Sequence, residues 1–574
     1  MAKDKTVAEI VADSLARHGV DTIFSQSLPS AALLASEDAG IRLVTYRTEN
    51  AGGAMADGYA RISGKVGVVT AQNGPAATLL VPPLAEALKS SVPIVALVQE
   101  VERPTTDRNA FQELDHIALF GGCAKWIRRV TEASRIEDYV DMAFTAATGG
   151  RPGPAVLLLP ADLLKERTTV FARRRANLGH YPLDRALPDP ARLDAAAEMI
   201  AGAKLAIVMA GGGVHLSGAA HALAALQQEA HLPVMTTVMG KGAVAETHPL
   251  SLGVGGNVLG RLSPSRHLRP LTERADVVVL VGTRTAQNGT DSWSMFPQQP
   301  RVIHIDVDPG EIGRNYEAAL RLTGDARLTL LALTERLRGR RRSDPALERE
   351  IAAAKEKNAA LIAPLLRSNA SPVRPERLAA DLQKVLTPDT IVVADASYSS
   401  VWAACYMTAL EPGMRFLTPR GIAGLGWGPP LALGAKIARP GSPVLCMTGD
   451  GAFAHVWSEL ETARRTATSI VITVLNNGVL AYQKDAEDVK FGRHTSACVF
   501  APVDHAQIAR ACGCRGVTVK HADEYLPAVR EALASNETTV IDVDTDPEAY
   551  PPITLFDDKL DEVRAQRSRS RKAA

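Results

Sequence analysis

The sequence predicts an α/β protein of three domains, each a mainly parallel sheet flanked by helices. Its 574 residues are too many for one hydrophobic core, and a chain of this length corresponds to about three domains. Short apolar runs that suit buried strands alternate along the chain with stretches of helical periodicity. This alternation is typical of βαβ units and therefore of parallel sheets.

The first domain is predicted at residues 1–170. A capping box from Thr6 to Glu9 indicates the start of a helix, and Gly19 indicates its end. The apolar runs that follow are predicted strands at 22–24, 66–70, 94–98 and 155–159. The charged, proline-marked stretch 173–190 is then predicted to be a linker.

Two further domains are predicted at 190–340 and 370–555, where the same pattern recurs. The basic stretch 338–342 is interpreted as a solvated linker face, with a nucleic-acid patch as the alternative. The basic tail 560–574 is predicted to be disordered, and its alternative is a segment that closes over an anionic ligand. The predicted strands are 205–209, 277–281 and 302–305 in the central domain and 390–393, 444–448, 470–475 and 539–543 in the third.

The charge balance limits the partners of this protein. Lys and Arg number 64 against 63 Asp and Glu, so no global field recruits nucleic acid or an acidic membrane. The six cysteines lack the spacing of redox or zinc motifs. Neither a signal peptide nor an apolar run of about 18 residues is apparent. We therefore expect a cytoplasmic protein with a small-molecule substrate and neither nucleic-acid nor membrane partners.

A metal site is predicted where two strands of the third domain end. Gly449-Asp450-Gly451 follows one strand and Asn477 follows another, so both reach the carboxyl edge of a parallel sheet. Asp and Asn supply the oxygen ligands that Mg²⁺ prefers, and glycines let the backbone approach phosphate. Either motif alone fits a simple turn. Together they predict a divalent metal that holds a diphosphate.

With these motifs on view, the chain resembles thiamine-diphosphate-dependent enzymes. It is similar to the group of acetolactate synthases, 2-oxo acid decarboxylases and 2-hydroxyacyl-CoA lyases, and most of all to acetolactate synthase large subunits. The resemblance covers about residues 5–550. It implies that Asp450, Asn477 and the carbonyl of Val479 bind Mg²⁺, and that the cofactor diphosphate lies along Gly449, Asp450, Gly451 and Ala452.

The stretch around Glu49 resembles the segment of this family that binds the aminopyrimidine. Arg47-Thr48-Glu49-Asn50-Ala51 precedes Gly58-Tyr59-Ala60-Arg61, as the family pattern requires. The resemblance implies that Glu49 hydrogen-bonds N1′ and so promotes removal of the proton from C2. A partly desolvated carboxyl group with a raised pKa suits this task. The alternative is an idle Glu near a helix start.

Three more segments resemble cofactor or substrate contacts of the family. Leu425, after Gly424, holds the place of the apolar wedge between the two cofactor rings, and its alternative is a core leucine. Phe111 and Gln112 resemble residues that face the thiazolium, so Phe111 would line the substrate pocket and Gln112 would hydrogen-bond the substrate. Thr78 ends a turn similar to the Gly-Pro-Gly-Ala-Thr turn that contacts the cofactor.

The resemblance also implies shared active sites. In the family the cofactor lies between the first domain of one subunit and the third domain of another, so Glu49 and Asp450 would meet across an interface of a homodimer or homotetramer. The central domain of relatives binds FAD, binds ADP or CoA, or binds nothing. FAD is therefore one candidate cofactor here, with Arg284 and Asp306 as candidate contacts near the glycine turn 211–213.

Several positions depart from the acetolactate synthase pattern. Residues 285–288 replace a Phe-Asp-Asp-Arg run, residues 25–29 replace a Gly-Gly turn, and the stretch 480–486 lacks the usual Trp. Gln483, Lys484 and Glu487 either meet a substrate carboxylate or form a solvated helix face. These departures leave the substrate open and the cofactor chemistry intact.

The resulting hypothesis is an enzyme that uses thiamine diphosphate and Mg²⁺ to cleave or form a carbon–carbon bond next to a carbonyl. The leading version is an acetolactate synthase-like decarboxylase or carboligase that acts on a 2-oxo acid or an acyloin-type substrate. One alternative is a relative of 2-hydroxyacyl-CoA lyase or oxalyl-CoA decarboxylase. Another is a cofactor-binding partner subunit without turnover.

Overall fold

The computed structural model describes residues 3–170, 177–341, 343–557 and 559–565. These residues form three six-stranded sheets, one after another along the chain, and a two-stranded pair. All neighbours within the three large sheets are parallel. The predicted α/β class with three parallel-sheet units is therefore confirmed. The exact domain limits stay a prediction.

The first unit begins with the predicted capping box. The Thr6 hydroxyl accepts a hydrogen bond from the Glu9 amide at 3.2 Å, and the Glu9 carboxylate accepts one from the Thr6 amide at 2.6 Å. The strands of this unit are β1 (Lys3–Thr6), β2 (Thr22–Ser25), β3 (Arg42–Thr45), β4 (Gly67–Ala71), β5 (Ile94–Glu100), β6 (Trp126–Arg129), β7 (Pro154–Pro160) and β8 (Arg167–Val170). Its helices are α1 (Val7–Arg17), α2 (Ser30–Asp38), α3 (Glu49–Ser63), α4 (Pro75–Leu79), α5 (Val81–Ser90), α6 (His116–Phe120) and α7 (Ile136–Thr148).

The large sheet of this unit has the strand order β3-β2-β4-β5-β7-β6. Its central strands β4, β5 and β7 are continuous apolar runs and are buried almost throughout, which is expected of a parallel sheet with helices on both faces. β1 and β8 pair antiparallel and join the two ends of the unit. The sequence did not reveal this pair, because both strands are short and polar.

The central unit has the sheet order β11-β10-β9-β12-β13-β14. A long helix, α13 (Pro345–Leu366), follows it and leads to the third unit. The strands are β9 (Ala206–Ala210), β10 (Val234–Thr236), β11 (Ser251–Val254), β12 (Val277–Val281), β13 (Arg301–Asp306) and β14 (Ala318–Thr323). The helices before α13 are α8 (Pro190–Ala201), α9 (Gly213–Leu216), α10 (Ala220–Glu229), α11 (Arg269–Glu273) and α12 (Ala326–Leu337).

The third unit has the sheet order β16-β15-β17-β18-β20-β19. The four predicted strands form its centre, and two short edge strands were not predicted. The strands are β15 (Ile391–Ala394), β16 (Arg415–Leu417), β17 (Val444–Gly449), β18 (Val471–Asn476), β19 (Arg515–Val519) and β20 (Thr539–Asp544). The helices are α14 (Pro375–Gln383), α15 (Tyr398–Tyr406), α16 (Gly428–Ala438), α17 (Asp450–Phe453), α18 (Glu459–Arg465), α19 (Ala481–Phe491), α20 (His505–Ala511) and α21 (Ala522–Ser535).

Some residues of the basic segments, within the described ranges, form bonds to the rest of the protein. In the stretch 338–342, Arg340 pairs with Glu198 at 2.7 Å and Arg341 donates to the Ile200 carbonyl at 2.7 Å. Residues 559–565 are helical, and Arg564 lies 3.1 Å from the Asp485 carboxylate. Arg564 belongs to the tail 560–574, whose disorder stays a prediction. Residues 566–574 of that tail, like Arg173, Arg174 and Arg175 of the linker, lie outside the described residues.

None of the helices within the described ranges is both long and apolar enough to cross a membrane.

Helices α3 and α16 join the first and third units by close backbone packing. A Cβ atom on Gly58 would lie 2.2 Å from the Leu431 carbonyl oxygen, and one on Gly434 would lie 2.0 Å from the Met55 carbonyl oxygen. Only glycine allows this approach, because any side chain would collide with backbone that cannot rotate away. The two units are therefore held in one fixed relation within the chain.

Replacing Gly434 by alanine tests this contact. The added methyl group must push α16 away from α3, and overpacking of this kind costs about 1–3 kcal/mol. We expect Gly434→Ala to lower the apparent melting temperature by about 1–3 °C, as followed by circular dichroism. Gly441→Ala is the control, because nothing lies within 4 Å of a Cβ atom at Gly441. Equal melting temperatures for the two variants would contradict this packing.

Candidate active site

Asp450 and Asn477 lie side by side at the carboxyl edge of the third sheet. β17 and β18 are neighbours, and Gly449 is paired with Leu475 at their ends. Asp450 Oδ2 accepts a hydrogen bond from the Gly478 amide at 2.8 Å, so the two predicted motifs are in direct contact. Asn477 Oδ1 accepts one from the Val479 amide at 3.1 Å. The structure thus brings together the side chains that the sequence assigned to a metal.

The surroundings of Asp450 suit a cation. Its carboxyl group is buried, and this burial raises the pKa of Asp450 to about 6. Each carboxylate oxygen accepts one amide hydrogen bond, from Gly451 and from Gly478, and keeps a lone pair for a further partner. A carboxylate, an amide oxygen and a backbone carbonyl are the hard oxygen donors that Mg²⁺ takes. The residues present therefore fit a magnesium ion.

Glycines at this edge of the sheet allow close packing and a left-handed backbone conformation. A Cβ atom on Gly451 would lie 2.7 Å from the ring of Phe500. Gly478 has a φ of +68°, which only glycine adopts without strain. Ala452, the next predicted cofactor contact, is buried at the start of α17. Gly449 caps that helix from the strand side.

A second layer of polar groups fixes the residue beside Asn477. The Asn476 amide group donates to Asp542 Oδ1 at 3.0 Å and to the Val503 carbonyl at 3.0 Å. The other oxygen of Asp542 accepts from the His505 amide at 2.8 Å. Asp542 could not be predicted from the sequence, because its contact with Asn476 depends on the pairing of β18 with β20.

The loop that carries Gly424 and Leu425 is held at one end by Asp395. The buried carboxylate of Asp395 accepts hydrogen bonds from the amides of Gly426 at 3.1 Å and Gly428 at 2.9 Å. Leu425 is partly buried. A Cβ atom on Gly424 would lie 2.7 Å from the Trp427 ring. The predicted wedge residue therefore sits on a loop with a fixed course.

The other end of this loop is held by Glu86, which belongs to α5 of the first unit. Its buried carboxylate accepts hydrogen bonds from the amides of Gly421 at 2.7 Å, Ile422 at 2.7 Å and Ala423 at 3.3 Å. Arg61 on α3 lies 3.8 Å from the same carboxylate. A residue of the first unit thus positions the cofactor loop of the third.

Glu459 on α18 makes the reverse connection. Its buried carboxylate accepts hydrogen bonds from the amides of Arg47 at 3.1 Å and Thr48 at 3.0 Å. These amides precede Glu49, the first residue of α3. Burial raises the pKa of Glu49 as well as that of Glu459. The catalytic candidate therefore has the desolvated carboxyl group that its predicted role needs.

The remaining candidates of the first unit lie together beyond β4. The Gln72 amide group donates to Gln112 Oε1 at 2.7 Å. The Asn73 amide group donates to the carbonyls of Phe111 at 3.2 Å and Gln112 at 3.0 Å. Thr78 ends the same turn, and its hydroxyl donates to a carbonyl within the turn at 2.6 Å. Phe111 is 85% exposed, which is unusual for a phenylalanine side chain.

Within one chain the two groups of candidates stay apart. Among the described residues, no hydrogen bond or ion pair joins Glu49 to Asp450 or Asn477. The Trp427 indole of the third unit donates to Asn50 Oδ1, next to Glu49, at 2.9 Å. Exposed apolar side chains occur in both groups, namely Leu79, Phe111 and Ile117 in the first unit and Ile422, Val499 and Phe500 in the third.

A cavity of about 350 Å³ lies where the three units meet. Gly211 and Gly213 line it, and a Cβ atom on either would lie within 2.7 Å of Gly282. Asp306, at the end of β13, also lines it, and burial raises its pKa to about 6. The two candidate nucleotide contacts, Arg284 and Asp306, thus face one cavity. Its size and lining suit a ligand.

Of Gln483, Lys484 and Glu487 on α19, Lys484 lies as neither interpretation of the sequence expected, whereas Gln483 is exposed. Lys484 is buried and pairs with Glu548 at 2.8 Å, so it is neither a solvated residue nor free to meet a substrate. The Gln483 amide group donates to Glu487 at 2.9 Å, and Glu487 also accepts from the Thr495 amide at 2.7 Å. These side chains bond to the protein itself.

Comparisons with known proteins agree with this geometry. Residues 5–119 match the N-terminal TPP binding domain of thiamine pyrophosphate enzymes, residues 193–333 match their central domain, and residues 395–543 match their C-terminal TPP binding domain. The chain belongs to the thiamine pyrophosphate enzyme family. It is accordingly an enzyme dependent on this cofactor, as the sequence predicted.

Relatives within the thiamine pyrophosphate enzyme family are acetolactate synthase large subunits. A probable acetolactate synthase large subunit of Methanocaldococcus jannaschii is 32% identical over 95% of this chain and 93% of its own length. The large subunit of acetolactate synthase isozyme 3 of Escherichia coli is 30% identical over 97% of this chain and 98% of its own length. The predicted resemblance to acetolactate synthase large subunits is thus confirmed.

Asp395→Asn tests whether a buried carboxylate holds the loop of Leu425. The new amide nitrogen cannot accept a hydrogen bond, so a loop amide loses its partner at a cost of about 1–3 kcal/mol. We expect trypsin to cleave after Arg420, which lies in this loop, about 10-fold faster than in the wild type. Cleavage is followed by mass spectrometry. Asp389→Asn, at an exposed turn, is the control, and an unchanged rate in Asp395→Asn would refute the role of Asp395.

Proposed function

We propose that this protein is an acetolactate synthase-like enzyme that uses Mg²⁺ and thiamine diphosphate to decarboxylate a 2-oxo acid and to form a new carbon–carbon bond. The observation that carries the proposal is the contact between Asp450 and the turn of Asn477 at adjacent strand ends. The names of the relatives in Methanocaldococcus jannaschii and Escherichia coli support the reaction class. The cytoplasmic location stays a prediction.

In this proposal Asp450, Asn477 and the Val479 carbonyl bind Mg²⁺, and the glycine-lined turn 449–452 receives the diphosphate. The buried carboxylate supplies charge, while the amide and carbonyl supply neutral oxygens. α17 begins at this edge, and the first amides of a helix favour an anion. Bound there, the cofactor supplies a carbon acid that adds to a carbonyl and stabilises the resulting carbanion.

Glu49 is proposed to hydrogen-bond N1′ of the cofactor pyrimidine and so to promote removal of the proton from C2. Glu49 is 7% exposed, and burial raises the pKa of its carboxyl group, which favours sharing of a proton with the pyrimidine. The backbone amides of Arg47 and Thr48 donate hydrogen bonds to the Glu459 carboxylate, and these bonds fix the backbone directly before Glu49. Gln112, Phe111 and Thr78 then lie on the first-unit side of the reacting centre. Leu425 supports the cofactor from the third unit.

The separation of the two groups supports a site shared between subunits. Glu49 lies in the first unit, Asp450 lies in the third, and no bond joins them within the described part of one chain. Exposed side chains such as Phe111 and Phe500 would be covered by a second chain. We therefore propose a homodimer, or a homotetramer built from it, in which each site uses both chains.

The central cavity gives this proposal a second component. Its glycine turn and the acidic group at the end of β13 suit the phosphates and ribose of a nucleotide. FAD is the candidate that this family context suggests, with an adenine nucleotide such as ADP or CoA as the alternative. The absorbance spectrum of the purified protein distinguishes a flavin from an adenine nucleotide.

Glu49→Gln tests the proposed function. A glutamine side chain can hydrogen-bond the pyrimidine but cannot carry the proton, and loss of such acid–base help costs about 100-fold or more in rate. We expect exchange of the C2 proton of bound thiamine diphosphate to slow by at least this factor. The exchange is measured by NMR after rapid acid quenching.

Two further measurements make this experiment decisive. Glu37→Gln is the matched control, because Glu37 is an exposed residue of the same unit, and it should exchange at the wild-type rate. Cofactor affinity should change little in Glu49→Gln. Equal exchange rates in Glu49→Gln and the wild type would remove Glu49 from the mechanism.

A further inference from the structure

Arg420 is a largely enclosed cation that forms no ion pair with a carboxylate among the described residues. Its guanidinium donates one hydrogen bond, to the Ser400 hydroxyl at 2.5 Å. Its Nε has no hydrogen-bond partner among the described residues. The surface that Arg420 keeps accessible belongs to the wall of the three-unit cavity. A guanidinium has five N–H donors, so most of its capacity is unused.

The carboxylates around Arg420 are engaged elsewhere. Glu86 acts on Arg420 through space, but its oxygens already accept from three loop amides and from the Ser90 hydroxyl at 2.6 Å. Glu311, on the same cavity wall, pairs with Arg151 at 3.0 Å. Arg284 also lines the cavity. Carboxylates such as Asp306 also line the cavity, but none of the described residues forms an ion pair with Arg420.

Enclosing the charge of Arg420 without an anionic ligand destabilises the folded protein. Burial lowers the pKa of the Arg420 guanidinium, because enclosure by protein disfavours the charged form. A buried charge without a partner destabilises the folded state. Arg377 differs, because the Asp381 carboxylate lies 2.8 Å away and offsets the cost of its burial. A structural role does not account for Arg420, since a neutral side chain would fill the same space at lower cost.

The position of Arg420 connects the cavity with the proposed active site. It precedes Gly421 in the loop that carries Leu425. Its partner Ser400 is on α15, one turn after Asp395, which holds the other end of this loop. The phenol of Tyr482 on α19 also acts on it through space, and α19 follows the metal-binding turn. Arg420 thus lies at the end of the cavity nearest the cofactor loop.

We propose that Arg420 binds the carboxylate of the 2-oxo acid substrate from the wall of the three-unit cavity. The proposal rests on the proposed function, since it takes its ligand from that reaction. The guanidinium fork matches a carboxylate in shape and charge, and two parallel N–H···O bonds fix its orientation. Arg420 is therefore a residue that selects anionic over neutral carbonyl substrates.

Stability of the cofactor-free protein gives the first test, with Arg420→Met compared with Arg377→Met. Both changes remove a charge and keep the apolar stem. We expect the melting temperature to fall in Arg377→Met, because the buried Asp381 loses one of its two cationic partners and keeps only Lys384, and to stay the same or rise in Arg420→Met. A fall in Arg420→Met as large as that in Arg377→Met would assign Arg420 a structural role and overturn the proposal.

Ligand binding gives the second test, on protein loaded with thiamine diphosphate and Mg²⁺. Oxamate is an unreactive isostere of a 2-oxo acid, and oxamide is its neutral counterpart. We expect Arg420→Met to weaken oxamate binding about 10-fold or more in calorimetric titration and to leave oxamide binding unchanged. Arg420→Lys should lie between, because it keeps the charge and loses the fork.

Three outcomes would overturn the proposal. They are oxamate affinity within about twofold of wild type in Arg420→Met, equal weakening of oxamate and oxamide, and weakening of ADP binding without a change for oxamate. Each leaves the C2 proton exchange of the wild type intact, so the proposed function survives it. Loss of that exchange in the wild type would instead contradict the proposed function itself.

Discussion

The candidate site depends on buried carboxylates that accept hydrogen bonds from backbone amides. Glu86 of the first unit holds the cofactor loop of the third, and Glu459 of the third unit holds the turn before Glu49 in the first. Each carboxylate is costly to bury alone, and the amides repay that cost only if the loops keep one course. These reciprocal contacts therefore fix the first and third units of a chain to one another, and with them the half-sites that the chain contributes to two active sites.

Carboxylates also accept hydrogen bonds from backbone amides at the carboxyl edge of the third sheet, where the proposed metal site lies. The carboxylates of Asp395 and Asp450 both accept hydrogen bonds from backbone amides at the ends of adjacent strands, β15 and β17. Asp395 is fully buried and its oxygens serve the loop, so it is structural. Asp450 retains free lone pairs at the open edge and so can bind a cation. Arg420 is the opposite case, a largely enclosed charge that forms no ion pair with a carboxylate among the described residues.

The sequence predicted the parts of this site that are carried by local patterns. The parallel sheets followed from buried apolar runs, and Asp450 and Asn477 followed from their places after two such runs. Glu86, Asp395 and Glu459 could not be predicted, because each meets its amides across a distance set by the packing of α3 against α16 or by strand order. Lys484 was misjudged for the same reason, since its partner Glu548 is 64 residues away.

The central claim is that one active site takes Glu49 from one chain and Asp450 from another. Mixing of denatured Glu49→Gln and Asp450→Ala proteins, followed by joint refolding, tests it most directly. Each variant alone should be inactive, but a mixed dimer then contains one site with both wild-type residues. Random pairing should restore about a quarter of the wild-type activity per subunit. A refolded mixture as inactive as either variant alone would place both residues in one chain's site and contradict the account.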